Sequence, residues 1–175
     1  MSTALLIIDV QSDLCTGDSA CFDIDNVLQR INNISRAARE ASVPVLLVQH
    51  EDDDLQYGSA GWQLETRLLI DDSDLKVRKT TPDSFLRTGL AELLQSRGID
   101  HLVICGLQSD YCVDTTTRRA LAQGYSVTLV GDAHSTVDNA VLSAAQITAH
   151  HNALLGSISS FGKRARVVPA AEVHF

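Results

Sequence analysis

The sequence predicts an α/β protein built on a parallel β-sheet with helices on both faces. Two observations predict this class: short, almost wholly apolar runs recur along the 175 residues, and segments with apolar residues at helical spacing separate them. Because a parallel strand is covered on both faces, it reads as a continuous apolar run. The chain has no internal repeat, low-complexity tract or linker, so we expect residues 1–175 to form one domain.

The first part of the chain contains two predicted strands and one long helix. Ala4–Asp9 (ALLIID) is the first apolar run, and Val43–Gln49 (VPVLLVQ) is the second. Between them, residues 24–41 carry valine, isoleucine and alanine at helical spacing. Residues 50–61 are acidic and then contain glycine, which indicates a loop.

The rest of the chain continues the alternation of predicted strands and helices. Two of the predicted helices are followed by a glycine, Gly98 and Gly124, and glycine readily adopts the conformation that closes a helix. Ser135–Asp138 (STVD) resembles a capping box, which predicts a helix from there to about Leu155. In chain order, these elements are a helix over Thr88–Arg97, a strand over His101–Gly106, a helix over 109–123, a strand over Ser126–Gly131, the capped helix, and a strand over Ala165–Val168.

Composition argues against several classes of protein. The chain carries 14 lysines and arginines against 22 aspartates and glutamates, a formal net charge of −8. This balance argues against nucleic acid and anionic membranes as partners, since both are bound through basic surfaces. No window approaches the roughly 18 apolar residues of a transmembrane helix, and no basic segment precedes the first apolar run. We therefore expect a soluble cytoplasmic protein with free cysteines.

Polar residues gather where the predicted strands end, and ligands of parallel sheets bind at that edge. Cys112 follows the strand His101–Gly106, in the first turns of a helix. Backbone N–H groups at a helix N-terminus lower the pKa of a thiol and favour the nucleophilic thiolate. A free cysteine is also commonly a small buried hydrophobe, so position alone leaves both interpretations open.

Two charged residues are candidates to assist this cysteine. Asp9 ends the first strand, where its carboxylate could accept the thiol proton or simply cap a turn. Lys79 could hold Asp9 ionised and stabilise a thiolate, although a lysine in so basic a segment is more typical of a solvated surface. The turn Gly106–Cys112 offers backbone N–H groups that could bind an oxyanion.

Four segments, in order, resemble the isochorismatase-like cysteine hydrolase superfamily, which includes nicotinamidases and related amidohydrolases. They are Leu5–Gln11 (LLIIDVQ), Lys79 with Ser84 and Phe85, Leu102–Thr116 (LVICGLQSDYCVDTT) and Gly124–Thr136 (GYSVTLVGDAHST). The resemblance implies a three-layer α/β/α sandwich with a parallel six-stranded sheet, as one domain over residues 1–175. It also implies a catalytic triad of Asp9, Lys79 and Cys112.

The implied activity is hydrolysis of a C–N bond, of amide or lactam type, in a small molecule. Cys112 would attack the carbonyl and form a thioester, while the N–H groups of Gln108 and Cys112 bind the oxyanion. The family also implies a non-proline cis peptide at Leu107–Gln108 and a dimer or larger homo-oligomer. In pattern, the chain most resembles uncharacterised cysteine hydrolases and streptothricin-hydrolase-like amidases.

The resemblance leaves metal and substrate open. Nicotinamidases carry Asp-x-His and further histidines after the second strand, whereas this chain has QHEDDD there, so we expect no metal and no cofactor. His50, Trp62, Tyr111 and His134 are candidate substrate-binding residues. The alternatives are a metal-dependent nicotinamidase, a non-catalytic binding or assembly module, and a redox-sensing thiol, which needs a resolving cysteine near Cys112.

Overall fold

A six-stranded sheet runs through the structure, a computed structural model that describes residues 2–175. Its strands are β1 (Thr3–Ile8), β2 (Val45–His50), β3 (Leu75–Lys79), β4 (His101–Leu107), β5 (Ser126–Ser135) and β6 (Ala165–Val168). They lie in the order β3-β2-β1-β4-β5-β6, and every neighbouring pair is parallel. The predicted fold class is confirmed.

Helices cover both faces of this sheet. They are α1 (Ser12–Cys15), α2 (Ile24–Glu40), α3 (Leu90–Ser96), α4 (Asp114–Ala122) and α5 (Ala144–Ser157). Leu5 and Ile7 of β1 pack with α2, while Leu6 and Ile8 pack with α3, α4 and α5. Because successive strand residues point to opposite faces, β1 lies at the centre of a three-layer α/β/α sandwich. In the described part of the chain, no helix combines the length and apolar composition that crossing a membrane requires.

The end of β5 differs from the prediction. The strand continues to Ser135, because its last residues pair with the end of β4. The predicted helix start at Ser135–Asp138 was therefore wrong, and α5 begins only at Ala144. The capping box is formed by Ser143 and Gln146, so the same sequence pattern recurs further along and marks the true start.

The lysine-bearing segment is an edge strand, which the apolar runs did not reveal. β3 pairs with β2 so that Lys79 lies opposite His50. Val77 and Lys79 are buried, whereas Arg78 between them is exposed, which is the period-two pattern of a strand covered on one face. Lys79 therefore turns inward at the carboxyl end of the sheet.

A close approach between β4 and β1 fixes the chain just ahead of the cysteine turn. Gly106 has a φ of 118°, and a Cβ built on it would lie 2.1 Å from the carbonyl oxygen of Ile8. Only glycine has both this backbone freedom and the space. Asp9, directly after β1, also lies in the left-handed region, with a φ of 52°.

Candidate active site

Lys79, Asp9 and Cys112 meet in one buried cluster at the carboxyl ends of the strands. Lys79 Nζ donates to Asp9 Oδ2 at 2.7 Å and to Cys112 Sγ at 3.2 Å. The three residues come from β3, from the residue after β1 and from the turn after β4. The side chains of Lys79 and Asp9 are 0% and 2% exposed, so water hardly screens this ion pair.

His50 provides a third acceptor for the same ammonium group. Its Nδ1 lies 3.1 Å from Lys79 Nζ, and its Nε2 lies 3.0 Å from Asp52 Oδ2. Because an ammonium group can only donate, Nδ1 must accept. Nε2 can then donate to Asp52, and this hydrogen bond orients Nδ1 towards Lys79.

The donor atoms around Lys79 also resemble a ligand set for a metal. One atom each of Asp9, His50 and Cys112 lie within 4.8 Å of one another. Lys79 Nζ, however, is within hydrogen-bond distance of all three residues. An ammonium group with three N–H donors matches three acceptors, and its charge repels a second cation at that point. The donor set therefore fits the lysine better than a metal ion.

The thiol of Cys112 is a weak acid in this setting. Burial, and next the Asp9 carboxylate, raise its pKa to about 12, although Lys79 acts in the opposite direction. The expectation of a lowered pKa is not met, because burial and the Asp9 carboxylate together outweigh the effect of Lys79. The thiol is therefore protonated at neutral pH, and a base must remove its proton before it can attack.

A suitable acceptor for that proton lies in the cluster. Asp9 Oδ2 is held by Lys79, whereas Asp9 Oδ1 is buried and has no hydrogen-bond partner within residues 2–175. A buried acceptor without a donor is costly, so this oxygen favours any hydrogen-bond donor that comes within its reach.

The turn after β4 carries the residues predicted for an oxyanion site. The peptide bond Leu107–Gln108 is cis, and a π-helical turn that contains Cys112 follows it. The N–H groups of Tyr111 and Val113 both donate to the carbonyl of Gln108, which closes the turn. Gln108 and Cys112 both line one cavity.

That cavity has a volume of about 530 Å³, which suits a small-molecule ligand. Asp9 and Cys112 form part of its wall, so the buried cluster is open to a ligand on one side. Two of the predicted substrate-binding residues, His50 and Tyr111, also line it. The ring of Tyr111 is 57% exposed, which places it at the mouth.

Trp62 does not line this cavity. Its ring packs edge-on against Tyr57, with 4.7 Å between the ring centroids. Its carbonyl accepts hydrogen bonds from the side chains of Gln11 and Gln49. Trp62 therefore fixes the loop that follows β2 to the end of the sheet.

Gln11 is a residue of this region that sequence reasoning missed. It is fully buried, and its amide nitrogen donates to the carbonyls of His50 and Trp62 at 2.9 Å each. Its Oε1 accepts from the N–H of His50 at 2.8 Å. The signal was present in the sequence, since Gln11 ends the segment LLIIDVQ, but its partners are distant in the chain.

His134 lies behind the cysteine turn and not in the cavity. Its Nδ1 is 2.8 Å from Ser109 Oγ, and its Nε2 is 2.9 Å from Asn152 Oδ1. Burial lowers its pKa to about 4, so the ring is neutral at physiological pH. Since Ser109 begins the turn that contains Cys112, His134 supports the turn from the side away from the ligand.

Comparison with known proteins gives this arrangement a context. Residues 3–160 match the family model of the isochorismatase domain. A streptothricin hydrolase of Streptomyces noursei is 37% identical over 141 residues, which cover 77% of this chain and 55% of the relative. The uncharacterized isochorismatase family protein YddQ of Bacillus subtilis is 31% identical, covering 78% of this chain and 79% of the relative. The chain spans about half the length of the streptothricin hydrolases that it matches.

Solved structures agree with the sequence matches. A crystal structure of an isochorismatase from Pseudomonas putida KT2440 has a TM-score of 0.90 and 30% identity, covering 98% of this chain and 89% of the other. A crystal structure of an isochorismatase family protein has a TM-score of 0.88 and 34% identity, covering 95% and 97%. By its matched domain, its relatives and its fold, the chain belongs to the isochorismatase family.

Proposed function

We propose that the protein hydrolyses a C–N bond of a small amide or lactam-type molecule through a thioester on Cys112. The observation that carries this proposal is the buried ammonium of Lys79, which contacts both Asp9 and Cys112 at the wall of a cavity. Similarity to a streptothricin hydrolase supports an amide-type substrate. Burying two opposite charges costs several kcal/mol per ion before they pair, so a structural role alone explains the cluster poorly.

In the first half of the reaction, Asp9 acts as the base. The thiol of Cys112 transfers its proton to the Asp9 carboxylate, one oxygen of which lies within 4.8 Å of the sulfur. The ammonium of Lys79, 3.2 Å from the sulfur, stabilises the thiolate as it forms. The sulfur attacks the carbonyl carbon, a C–S bond forms, and the carbonyl oxygen takes up the negative charge.

Backbone N–H groups of Gln108 and Cys112 bind that oxyanion, and one such donor contributes about 3 kcal/mol to the transition state. Protonated Asp9 gives its proton to the leaving nitrogen as the C–N bond breaks, which leaves a thioester. Asp9 then takes a proton from water as the water oxygen attacks the thioester carbon. When this second intermediate collapses, the C–S bond breaks, the acid leaves, and Asp9 returns the proton to the sulfur.

An ammonia- and amine-release screen over small amides, lactams and ureides tests this function with Cys112→Ala beside the wild type. We expect release by the wild type and none by the variant, because no other group can form the thioester. A slow substrate should add its acyl mass to the wild type only. Cys15→Ala is the matched control, since Cys15 is a buried free thiol that does not line the cavity. Turnover by Cys112→Ala at the wild-type rate would refute the mechanism.

The alternatives predict different outcomes in the same screen. A metal-dependent nicotinamidase releases ammonia from nicotinamide and loses activity after dialysis against a chelator. We expect chelation to leave the rate unchanged, because Lys79 already engages the donor atoms of Asp9, His50 and Cys112. A non-catalytic module releases nothing from any compound and forms no acyl adduct.

A further inference from the structure

The cavity beside Cys112 carries several carboxylates in its wall. Four aspartates line it, and within residues 2–175 no lysine or arginine does. Asp9 is paired with Lys79 beneath the cavity, which leaves three other aspartates in the wall, of which only Asp52 has a basic partner, His50, within the described residues. We call these three, Asp13, Asp52 and Asp54, the rim carboxylates. Their charges add up in a concave site, where the surrounding protein excludes part of the screening solvent.

Two of the rim carboxylates are free to bind a ligand. In the described chain, the side chains of Asp13 and Asp54 take part in neither an ion pair nor a hydrogen bond. Asp52 is different, because its oxygens accept from the N–H groups of Leu55 and Asp54 and from the ring of His50. The hydrogen bond from Leu55 contributes most to lowering the pKa of Asp52, so this carboxylate remains charged.

The position of Asp13 depends on a close approach to the main chain. Its N–H donates to the carbonyl of Gly61 at 3.2 Å. A Cβ built on Gly61 would lie 2.1 Å from the carboxyl carbon of Asp13. The carboxylate therefore occupies the space in which any other residue at position 61 would place its side chain, beside the cavity that Asp13 lines.

The inner end of the cavity points to a ligand with N–H donors. Asp9 Oδ1 is a buried acceptor without a partner in the described chain, and Asp9 forms part of the wall beside Cys112. At the outer end, Tyr111 presents an exposed aromatic ring, and the face of such a ring attracts cations. The two ends thus favour a carboxamide N–H near Cys112 and a positive charge near the rim.

We propose that the substrate is a carboxamide that carries a positive charge, an ammonium or guanidinium group placed several bonds from the reacting carbonyl. The rim carboxylates bind this charge while the amide lies against Cys112. The inference rests on the proposed amide hydrolysis, which it extends from a reaction type to a class of substrate.

Three amides of equal length test the charge preference: 4-aminobutanamide is cationic at neutral pH, pentanamide is neutral, and glutaric acid monoamide is anionic. We expect kcat/KM for ammonia release to be highest for the cation and lowest for the anion. Added salt should reduce the difference in kcat/KM between the cationic and the anionic amide, because at about 0.1 M ionic strength exposed charges are screened beyond roughly 10 Å. Equal values for the three amides, or a preference for the anion, would overturn the inference.

Substitutions at the rim locate the source of the preference. Asp13→Asn and Asp54→Asn should each lower the cation-to-neutral ratio of kcat/KM about threefold, the usual effect of one solvent-exposed ion pair. Asp53→Asn is the matched control, since Asp53 is an exposed aspartate of the same loop that does not line the cavity. A ratio that stays constant in both rim variants, or that falls equally in the control, contradicts the assignment.

Equilibrium binding separates this inference from the proposed function. Saturation-transfer NMR with the three amides and Cys112→Ala reports affinity without turnover. Charge-selective binding without turnover by the wild type would refute the hydrolase and leave the ligand class standing. Turnover without charge selectivity would refute the cationic ligand class and leave the hydrolase standing. If the protein neither binds the amides charge-selectively nor turns them over, both proposals are refuted.

Discussion

Replacing Asp9 by asparagine should make Cys112 more reactive towards an alkylating agent while abolishing hydrolysis. The carboxylate raises the pKa of the Cys112 thiol, second only to burial, so its removal favours the thiolate. The asparagine side chain keeps an oxygen that can accept from Lys79, which preserves the cation beside the sulfur. Hydrolysis should fall by about 10²–10⁴-fold, because the base and the proton donor to the leaving nitrogen are lost together.

The size of the effect follows from the distance between the two groups. An oxygen of Asp9 and the sulfur of Cys112 lie within 4.8 Å of each other. At an effective dielectric constant of about 20, one unit charge at that distance contributes about 3.5 kcal/mol. This corresponds to roughly a 300-fold larger thiolate fraction at a fixed pH. A less basic thiolate is a weaker nucleophile, by about tenfold over this range, so we expect alkylation to be about 30-fold faster.

Iodoacetamide alkylation followed by intact-mass spectrometry measures this rate. Cys112→Ala gives the background from the other three cysteines, all of which are buried. Asp13→Asn removes a carboxylate from the mouth of the same cavity and should change the rate far less, since solvent screens that position. An alkylation rate that is unchanged or lower in Asp9→Asn would show that Asp9 does not control the thiol proton.

Three further predictions concern stability. Burial keeps the pKa of His134 in the folded protein at about 4, whereas its ordinary value is 6.5. As the pH falls below 6.5, His134 is therefore protonated in the unfolded chain before it is protonated in the folded protein. This difference should lower the free energy of unfolding by about 2 kcal/mol between pH 7.5 and 5. Urea unfolding at pH 7.5 and 5 measures this change. We expect it to disappear in His134→Gln and to persist in His174→Gln, since His174 is exposed. Gln11→Met removes the hydrogen bonds to the carbonyl and N–H of His50 and one of the two to the carbonyl of Trp62, so urea unfolding should report a loss of about 2–3 kcal/mol, and a loss below about 0.5 would contradict the role of these hydrogen bonds. Gly106→Ala places a Cβ 2.1 Å from a backbone carbonyl of β1 and should give no folded protein by circular dichroism, whereas Gly89→Ala, with nothing within 4 Å, should fold normally.

Much of the fold was predictable from the sequence, because buried parallel strands consist of continuous runs of apolar residues. β1, β2 and β4 are covered by helices on both faces, and their runs could be recognised without any partner. β3 lies at the edge of the sheet, alternates between buried and exposed residues, and contains three basic side chains. Such a strand has no apolar run, so only its pairing with β2 identifies it.

The candidate site was predictable in its residues but not in its electrostatics. Asp9 and Cys112 could be selected because they follow predicted strands, whereas Lys79 could be selected only because its segment matches the family. The pKa of the Cys112 thiol could not be predicted, since it depends on how deeply the sulfur is buried and on how near the Asp9 carboxylate lies. The contact between His50 and Lys79 was hidden for a similar reason, because pairing across two strands aligns residues that are distant in the chain.

The location of Lys79 on the outermost strand has a consequence for partial unfolding. Edge strands fray first, since hydrogen bonds hold them to the sheet on one side only. When β3 detaches, the ammonium leaves Asp9 and Cys112 while the other five strands can remain paired. The reactivity of Cys112 is therefore sensitive to a local opening that is too small to change the bulk secondary structure. Heating or mild denaturant should abolish activity before the rest of the sheet unfolds.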